Sequence, residues 1–188
     1  MGKNSKVLLI SIILLASLLS LPTPGQCPQG LGWQAGFQYM LRRGVEKNIA
    51  FEIAQATFAC SPTDPDLIIA IIAAESGFNP KAVGKDGERG LMQVSNIALR
   101  DVVNFNPDIE YAPEKLFDIE YNILVGCRYL KISYQRAKKY LPDGYNDFAL
   151  WVSAIMAYKD GFKWRPCTFS YARKVMQIHK QIKNFDGL

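Results

Sequence analysis

Residues 64–77 read DPDLIIAIIAAESG, an apolar run between a helix start and a helix stop. The first three residues supply a capping aspartate, a proline that suits the first helical turn and a second aspartate at the positive end of the helix dipole. From Leu67 to Ala74 the sequence is apolar on every side, so it predicts a helix surrounded by protein. Glu75 closes the run, and Pro80 prevents the helix from continuing.

Apolar residues recur at helical spacing on both sides of this run. They predict helices at Trp33–Val45, at Glu46–Ala59, from Ser95 or Asn96 to Val103, from Asp118 to Tyr140, from Asn146 to Tyr158 and from Thr168 to Asn184. Residues 81–90 hold three glycines and are typical of a loop. No alternating stretch is long enough to predict a strand, so we expect an almost entirely α-helical domain.

The first 25 residues differ from the rest of the chain. Two lysines precede an apolar run from Val7 to Leu21, and proline and small residues follow it. The run is shorter than the roughly 20 residues that cross a membrane, and it is typical of a signal peptide cleaved before Gln26. The alternative is an uncleaved N-terminal anchor. In both cases we expect residues 26–188 to form one exported domain.

The charge of this domain is modestly positive. The first 25 residues hold two of the 22 basic residues and none of the 17 acidic residues, so the rest of the chain carries a net charge of +3. That charge suits loose attraction to anionic cell-wall polymers. It is too weak to indicate a nucleic-acid partner, and no recognition motif accompanies it.

The cysteines are widely spaced, at positions 27, 60, 127 and 167. No Cys-x-x-Cys pair occurs, which argues against a zinc site, and we expect neither a metal nor another cofactor. In an oxidising compartment four cysteines allow up to two disulfides. The sequence does not choose among the three possible pairings, and buried free thiols are the alternative.

Glu75 is the residue whose context best suits catalysis. It closes a helix that we expect to be buried, next to glycine-rich loops that can admit a ligand. Burial disfavours the charged form and should raise the pKa of this carboxyl. A carboxylic acid that stays protonated near neutral pH can protonate a glycosidic oxygen. The alternative is an exposed glutamate at a helix end.

The motif ESGFNP at residues 75–80, followed by GLMQ at residues 90–93, resembles the lytic transglycosylases with a soluble-transglycosylase (SLT), lysozyme-like domain. Further blocks follow in the family's order: Asn122-Ile123 with Gly126 and Tyr129-Leu130, Ala154 with Ala157-Tyr158 and Gly161, and Tyr171 with Val175. The resemblance implies a single helical domain of the α+β lysozyme-like superfamily, with little or no sheet and with a substrate groove.

The same resemblance implies the reaction. Glu75 matches the family's sole catalytic acid/base, and Gln93 matches the residue that hydrogen-bonds the N-acetyl group of the substrate. The expected enzyme is a peptidoglycan lytic transglycosylase, which cuts the β-1,4 bond between N-acetylmuramic acid (MurNAc) and N-acetylglucosamine (GlcNAc) and leaves 1,6-anhydro-MurNAc ends. Ordinary glycosidases use two carboxylates, whereas here the acetamide of the substrate acts as the second group.

Four further residues acquire expected roles in substrate binding from the resemblance. Ser76 would hold the sugar or the catalytic carboxyl, and Met92 would form an apolar wall beneath a sugar. The Tyr158 hydroxyl would reach the catalytic carboxyl, and Tyr171 would line the same groove. The expected partners are peptidoglycan strands, with envelope machinery as a further candidate, in the periplasm or cell envelope. Contact with a membrane is expected only through the N-terminal segment if it is uncleaved.

One residue departs from the family, which usually has asparagine where this chain has Lys159. An ammonium pointing into the groove would weaken the acid step, but we expect it to point to solvent because lysine head groups prefer water. Two other functions stay open. A muramidase that hydrolyses the same bond would need a second carboxylate, for which Asp86 and Glu88 are candidates, and a catalytically silent module would only bind peptidoglycan. We expect His179 to lie on a solvated helix face.

Overall fold

The computed structural model describes residues 34–60, 64–141, 144, 146–161 and 166–184. Seven α-helices and one 3₁₀ helix occupy these residues: α1 (Gln34–Arg42), α2 (Lys47–Ala59), α3 (Pro65–Glu75), α4 (Asn96–Phe105), the 3₁₀ helix Pro113–Phe117, α5 (Ile119–Tyr140), α6 (Asp147–Asp160) and α7 (Pro166–Lys183). Within the described ranges, β-structure is confined to isolated antiparallel bridges that pair Arg89 with Val83 and with Val94. The all-α prediction is confirmed.

Helix α3 is the buried centre of the fold. Its residues from Leu67 to Ile72 are all buried, as the unbroken apolar sequence predicts. The helix packs against α1, α2 and α7. The Asp64 side chain caps it by accepting a hydrogen bond from the Asp66 amide, and the chain turns away after Glu75. Glu75 therefore lies at the end of a helix whose middle is held in the core.

Local capping signals set the start of three other helices. The side chains of Ser95, Asp118 and Asn146 each accept a hydrogen bond from a backbone amide in the first turn of α4, α5 and α6, respectively. Gly161 ends α6 with a positive φ of 60°, a conformation that glycine adopts without strain. Helices α5 and α6 pack against each other, and α6 also packs against α7.

The predicted start of the last helix is wrong. We expected Thr168 to cap α7, but the helix begins at Pro166, a residue that suits a first turn. The Thr168 hydroxyl instead donates a hydrogen bond to Asp160 Oδ2, 3.0 Å away. This contact joins the first turn of α7 to the last residue of α6. No helix was predicted at Pro113–Phe117, where the structure has a 3₁₀ helix that begins with a proline and a glutamate.

The prediction for His179 is also wrong. Its side chain is only 19% exposed, and Nε2 lies 2.9 Å from Asp64 Oδ2. Lys183 Nζ lies beside it, 3.2 Å from Asp64 Oδ1 and 2.9 Å from Asp66 Oδ2. Solvation was the wrong expectation because the two aspartates that begin α3 lie opposite this face of α7.

These contacts shift the pKa values of both aspartates. Burial acts to raise the pKa of Asp64, but hydrogen bonding and the charge of His179, followed by those of Lys183, lower it to about 2. The pKa of Asp66 is raised, mainly because burial outweighs its contact with Lys183. The cluster fixes the first turn of α3 against the last turns of α7.

A disulfide joins Cys60, which follows α2, to Cys127 within α5. One of the two possible disulfides is thus present, while Cys27 and the side chain of Cys167 lie outside the described residues. The predicted N-terminal segment at residues 1–25 also lies outside them. Among the helices that the structure describes, none combines the length and the apolar character that crossing a membrane requires.

Candidate active site

Glu75 lies at the wall of a cavity of about 430 Å³. As the last residue of α3, it has a side chain that is only 5% exposed, so the carboxyl is largely withdrawn from water. The cavity is formed by the loop 82–95, by the beginning of α4, by Tyr129 of α5 and by the end of α6. Its lining includes the predicted site residues Gln93 and Tyr158.

Lys159 points into this cavity, so the expectation that it points to solvent is wrong. Its Nζ lies 2.9 Å from Glu75 Oε2 and 5.4 Å from the centre of the Tyr171 ring. The Lys159 side chain remains 44% exposed. A carboxylate that is nearly buried requires a partner, and the long lysine stem allows the ammonium to reach Glu75 while it keeps contact with water.

The segment that carries Gln93 is held in an unusual backbone conformation. Gln93 has a φ of 47° and Gly90 a φ of 72°, both in the left-handed region. Asn122 of α5 fixes this segment, because its side chain accepts a hydrogen bond from the Met92 amide and donates to the carbonyl oxygens of Arg89 and Leu116. The Asn122 clamp thus determines where the Gln93 side chain is presented.

The Gln93 amide group is partly used by its own loop. Nε2 donates hydrogen bonds to the carbonyl oxygens of Gly90, at 2.9 Å, and of Ala82, at 3.3 Å. A Cβ at Gly84 would lie 2.7 Å from Gln93 Oε1 and still closer to Glu88 Oε2, so a larger residue at this position would displace both side chains. Because Nε2 uses both of its hydrogens within the loop, Oε1 is the atom of the Gln93 amide that can accept a hydrogen bond from a ligand.

Tyr158 makes a different contact from the expected one. Its hydroxyl donates a hydrogen bond to the Met92 carbonyl oxygen, 2.7 Å away, rather than to Glu75. Burial, followed by the negative charge of Glu75, raises the pKa of Tyr158 well above its ordinary value. Tyr158 therefore stays protonated and bonds the carbonyl oxygen of Met92, the residue before Gln93, while Asn122 bonds its amide.

Met92 lies under the cavity rather than on its surface. The side chain is fully buried and packs on Gly126 of α5, where an added Cβ would overlap the Met92 sulfur. Gly126 thus allows α5 to approach the Met92 side chain, and in this structure Met92 supports the cavity from within the core. The expectation that Met92 forms an apolar wall of the groove did not foresee that its side chain is fully buried.

Tyr171 of α7 places a buried hydroxyl next to Glu75. The pKa of Tyr171 is raised well above its ordinary value, first by burial and then by the charge and hydrogen-bonding capacity of the Glu75 carboxylate. The hydroxyl makes no hydrogen bond of ordinary geometry with any residue that the structure describes. It is a neutral donor held beside the Glu75 carboxyl.

The remaining candidates differ in their relation to the cavity. Ser76 follows the last residue of α3 and is not part of the cavity lining, and its hydroxyl donates a hydrogen bond to the Ile72 carbonyl oxygen at 3.2 Å. Asp86 and Glu88 both line the cavity, where Glu88 Oε2 also accepts a hydrogen bond from the Asp86 amide. Within the described part of the chain, no three His, Cys, Asp or Glu side chains are grouped as metal ligands.

Two contributors to the site were not assigned a role from the sequence. Asn122 belongs to one of the quoted motifs, but its three hydrogen bonds become visible only when α5 is packed against the loop. Asp160 also lines the cavity and accepts the hydrogen bond from Thr168. Met92 and Asn122 both stand in motifs that the resemblance singles out, and this was the only signal that could have indicated their contact.

The profile of the Transglycosylase SLT domain family matches residues 52–179, which include the whole candidate site. The chain belongs to the transglycosylase SLT family. Among its relatives, the membrane-bound lytic murein transglycosylase C of Photorhabdus laumondii is 39% identical over 104 residues. That match covers 52% of this chain and 27% of the relative, so the chain corresponds to a limited part of the relative's length.

Proposed function

We propose that this SLT-family chain is a peptidoglycan lytic transglycosylase with Glu75 as its single acid/base. The observation that carries the proposal is the nearly buried Glu75 carboxyl at the wall of a cavity that also presents Gln93. Its volume of about 430 Å³ falls within the range of roughly 300–1,000 Å³ that is usual for small-ligand sites. The family match and the printed name of the relative agree with this activity.

In the first step, Glu75 donates a proton to the glycosidic oxygen between MurNAc and GlcNAc. The N-acetyl oxygen of MurNAc attacks the anomeric carbon of the same sugar as the bond to the leaving oxygen breaks. Gln93 Oε1 is suited to accept a hydrogen bond from the acetamide N–H, because its Nε2 already donates to two loop carbonyls. Holding the acetamide in place favours its attack by orientation.

In the second step, the Glu75 carboxylate takes the proton from the C6 hydroxyl of MurNAc. The C6 oxygen then bonds to the anomeric carbon and displaces the acetamide oxygen, which closes the 1,6-anhydro ring without consuming water. Lys159 and the neutral Tyr171 hydroxyl both lie beside the carboxylate that exists between the two steps. A cation and a hydrogen-bond donor at this place stabilise the ionised carboxyl.

We also propose that the chain acts in the cell envelope. The Cys60–Cys127 disulfide is typical of an oxidising compartment outside the cytosol. The relative's printed name places that protein on a membrane and assigns it to murein. The signal-like residues 1–25 agree with export.

Hydrolysis is the second candidate, because Asp86 and Glu88 line the same cavity as Glu75. A carboxylate in that position could activate a water molecule, as in an inverting glycosidase. The products distinguish the two reactions, since hydrolysis leaves reducing ends and transglycosylation leaves anhydro ends that are lighter by one water.

The test is digestion of purified sacculi by the purified chain, followed by mass spectrometry of the soluble products. We expect 1,6-anhydro-MurNAc ends, and we expect Glu75→Gln to abolish their release while the melting temperature is retained. Glu114→Gln, on the exposed part of the 3₁₀ helix, is the matched control and should cleave at the parental rate. Reducing ends would support the muramidase, and intact sacculi with bound protein would support a silent binding module. Full activity of Glu75→Gln would refute the assignment of the acid.

A further inference from the structure

A second cavity of about 430 Å³ lies beside the turn that follows Glu75. Ala73 and Gly77, on either side of Glu75 in the sequence, both contribute to its wall, together with residues of α1 and α7. It shares no lining residue with the cavity that contains the Glu75 carboxyl. The proposed reaction makes no use of it.

The two cavities differ in charge. The charged side chains that line the second cavity are Arg43 and Lys174, and both are basic. The first cavity is lined by four acidic residues and by Lys159, which is paired with Glu75. An anionic ligand is therefore favoured in the second cavity and disfavoured at the loop side of the first.

The basic residues lie close to the reacting end of the site. Lys174 Nζ donates a hydrogen bond to the carbonyl oxygen of Ala74, the residue before Glu75, at 3.2 Å. Lys174 follows Tyr171 by three positions on α7, so the two side chains lie on the same face of that helix. The second cavity therefore adjoins the backbone of α3 at Ala74, the residue that precedes Glu75.

The uncharged residues of the second cavity are suited to bind a peptide, because they offer both amide groups and apolar side chains. Gln177 and Gln181 are one helical turn apart on α7, and both face the cavity. Each carries an amide that can donate to and accept from a peptide backbone. Phe78 and Ile178 add apolar wall between the polar groups. Carboxylates on such a peptide would match Arg43 and Lys174.

We propose that this cavity binds the carboxylate-bearing peptide stem of peptidoglycan. The stem is attached to MurNAc, the sugar whose bond is cut, so a strand placed over Glu75 carries an acidic peptide within reach of a neighbouring cavity. This inference rests on the proposed function, because it takes peptidoglycan as the substrate. It adds a peptide site to the glycan site and makes stem-bearing strands the preferred substrate class.

The test measures binding without cleavage. The full chain with Glu75→Gln is titrated with soluble glycan strands that retain their stems and with the same strands after an amidase has removed the stems. We expect about tenfold tighter binding of the stem-bearing strands at low salt. In the same background, Arg43→Gln should weaken that binding about three- to tenfold and leave binding of stem-free strands unchanged, and Lys174→Gln should weaken binding of the stem-bearing strands at least as much.

The matched control is Lys180→Gln, an exposed lysine of α7 outside the cavity, which removes the same charge from the same helix. It should bind both kinds of strand like the parent. Arg43→Gln serves as the independent variant if Lys174→Gln loses its fold along with its contact to Ala74. Equal affinity of the parent for both kinds of strand would overturn the stem site alone. Absence of binding to either kind would contradict the proposed function as well.

Discussion

Replacing Lys159 by asparagine, the usual residue of the family, should make cleavage faster. In the resting site the Lys159 ammonium lies 2.9 Å from a carboxylate whose side chain is 5% exposed. Glu75 must leave this ion pair before it can carry the proton that the first step requires. The variant removes that requirement and leaves the Tyr171 hydroxyl to stabilise the carboxylate between the two steps, and the neutral asparagine fits in a smaller volume.

The size of the effect follows from the exposure of the two partners. Exposed ion pairs contribute about 0.2–1 kcal/mol, whereas removing one partner of a buried pair costs about 3–5 kcal/mol. Because the Lys159 side chain is 44% exposed, solvent screens the ion pair. We therefore take the free energy needed to separate Glu75 from Lys159 as about 1–2 kcal/mol. At 1.36 kcal/mol for each factor of ten, kcat should rise about 5- to 30-fold.

The assay is the initial rate of release of soluble fragments from sacculi at saturating substrate. Saturation matters because a cation near an acidic substrate also affects KM. Lys159→Arg keeps the positive charge and should remain within about twofold of the parent. A Lys159→Asn enzyme that cleaves no faster than the parent, while its melting temperature is unchanged, would show that the ion pair does not restrain Glu75.

Three further predictions concern the support of the site. Asn122→Ala leaves the Met92 amide and two carbonyl oxygens without their partner, so the free energy of unfolding measured in urea should fall by about 2–4 kcal/mol. A fall of less than about 1 kcal/mol would argue that Asn122 does not hold this segment. Gly126→Ala should lower the free energy of unfolding by about 1–3 kcal/mol, because the added methyl overlaps the Met92 side chain. In the double variant, the shorter side chain of Met92→Val should restore part of this loss. If the losses of the two single variants simply add in the double variant, direct overlap is contradicted. The pKa of Asp64 is about 2 in the folded protein against an ordinary 3.8. Ionised Asp64 therefore contributes to folding stability in full above pH 3.8, and this contribution is lost as the pH falls through 2. Asp64→Asn should therefore cost about 1 kcal/mol at pH 6, after allowance for solvent screening, and almost nothing at pH 2; an equal cost at both pH values would refute the linkage.

Much of the fold could be predicted because its signals are local. Asp64, Asp118 and Asn146 each cap the helix that the sequence assigned to them, since a cap bonds amides only two or three residues away. The burial of Leu67–Ile72 also followed from composition alone, because an apolar surface on every side leaves no face for water.

The errors concern contacts between residues distant in sequence. Lys159 meets Glu75 across 84 positions, and His179 meets Asp64 across 115. The general preference of lysine for water predicted the wrong direction, because it takes no account of a buried carboxylate supplied by another helix. Tyr158 was likewise assigned to Glu75 from the motif, but the packing of α6 brings its hydroxyl to the Met92 carbonyl oxygen.

The contacts between α3 and α7 explain how Glu75 is held at a fixed depth. Close packing of the buried isoleucines resists sliding of α3 along its axis, because a shift would open gaps in the core. Polar contacts at both ends add to this restraint. Lys183 and His179 bond the aspartates at the start of α3, and Lys174 bonds the Ala74 carbonyl oxygen at its end, about 12–15 Å away at 1.5 Å per residue. All three basic residues belong to α7, so a single helix sets the position of the carboxyl and, through Tyr171, places a hydrogen-bond donor beside it.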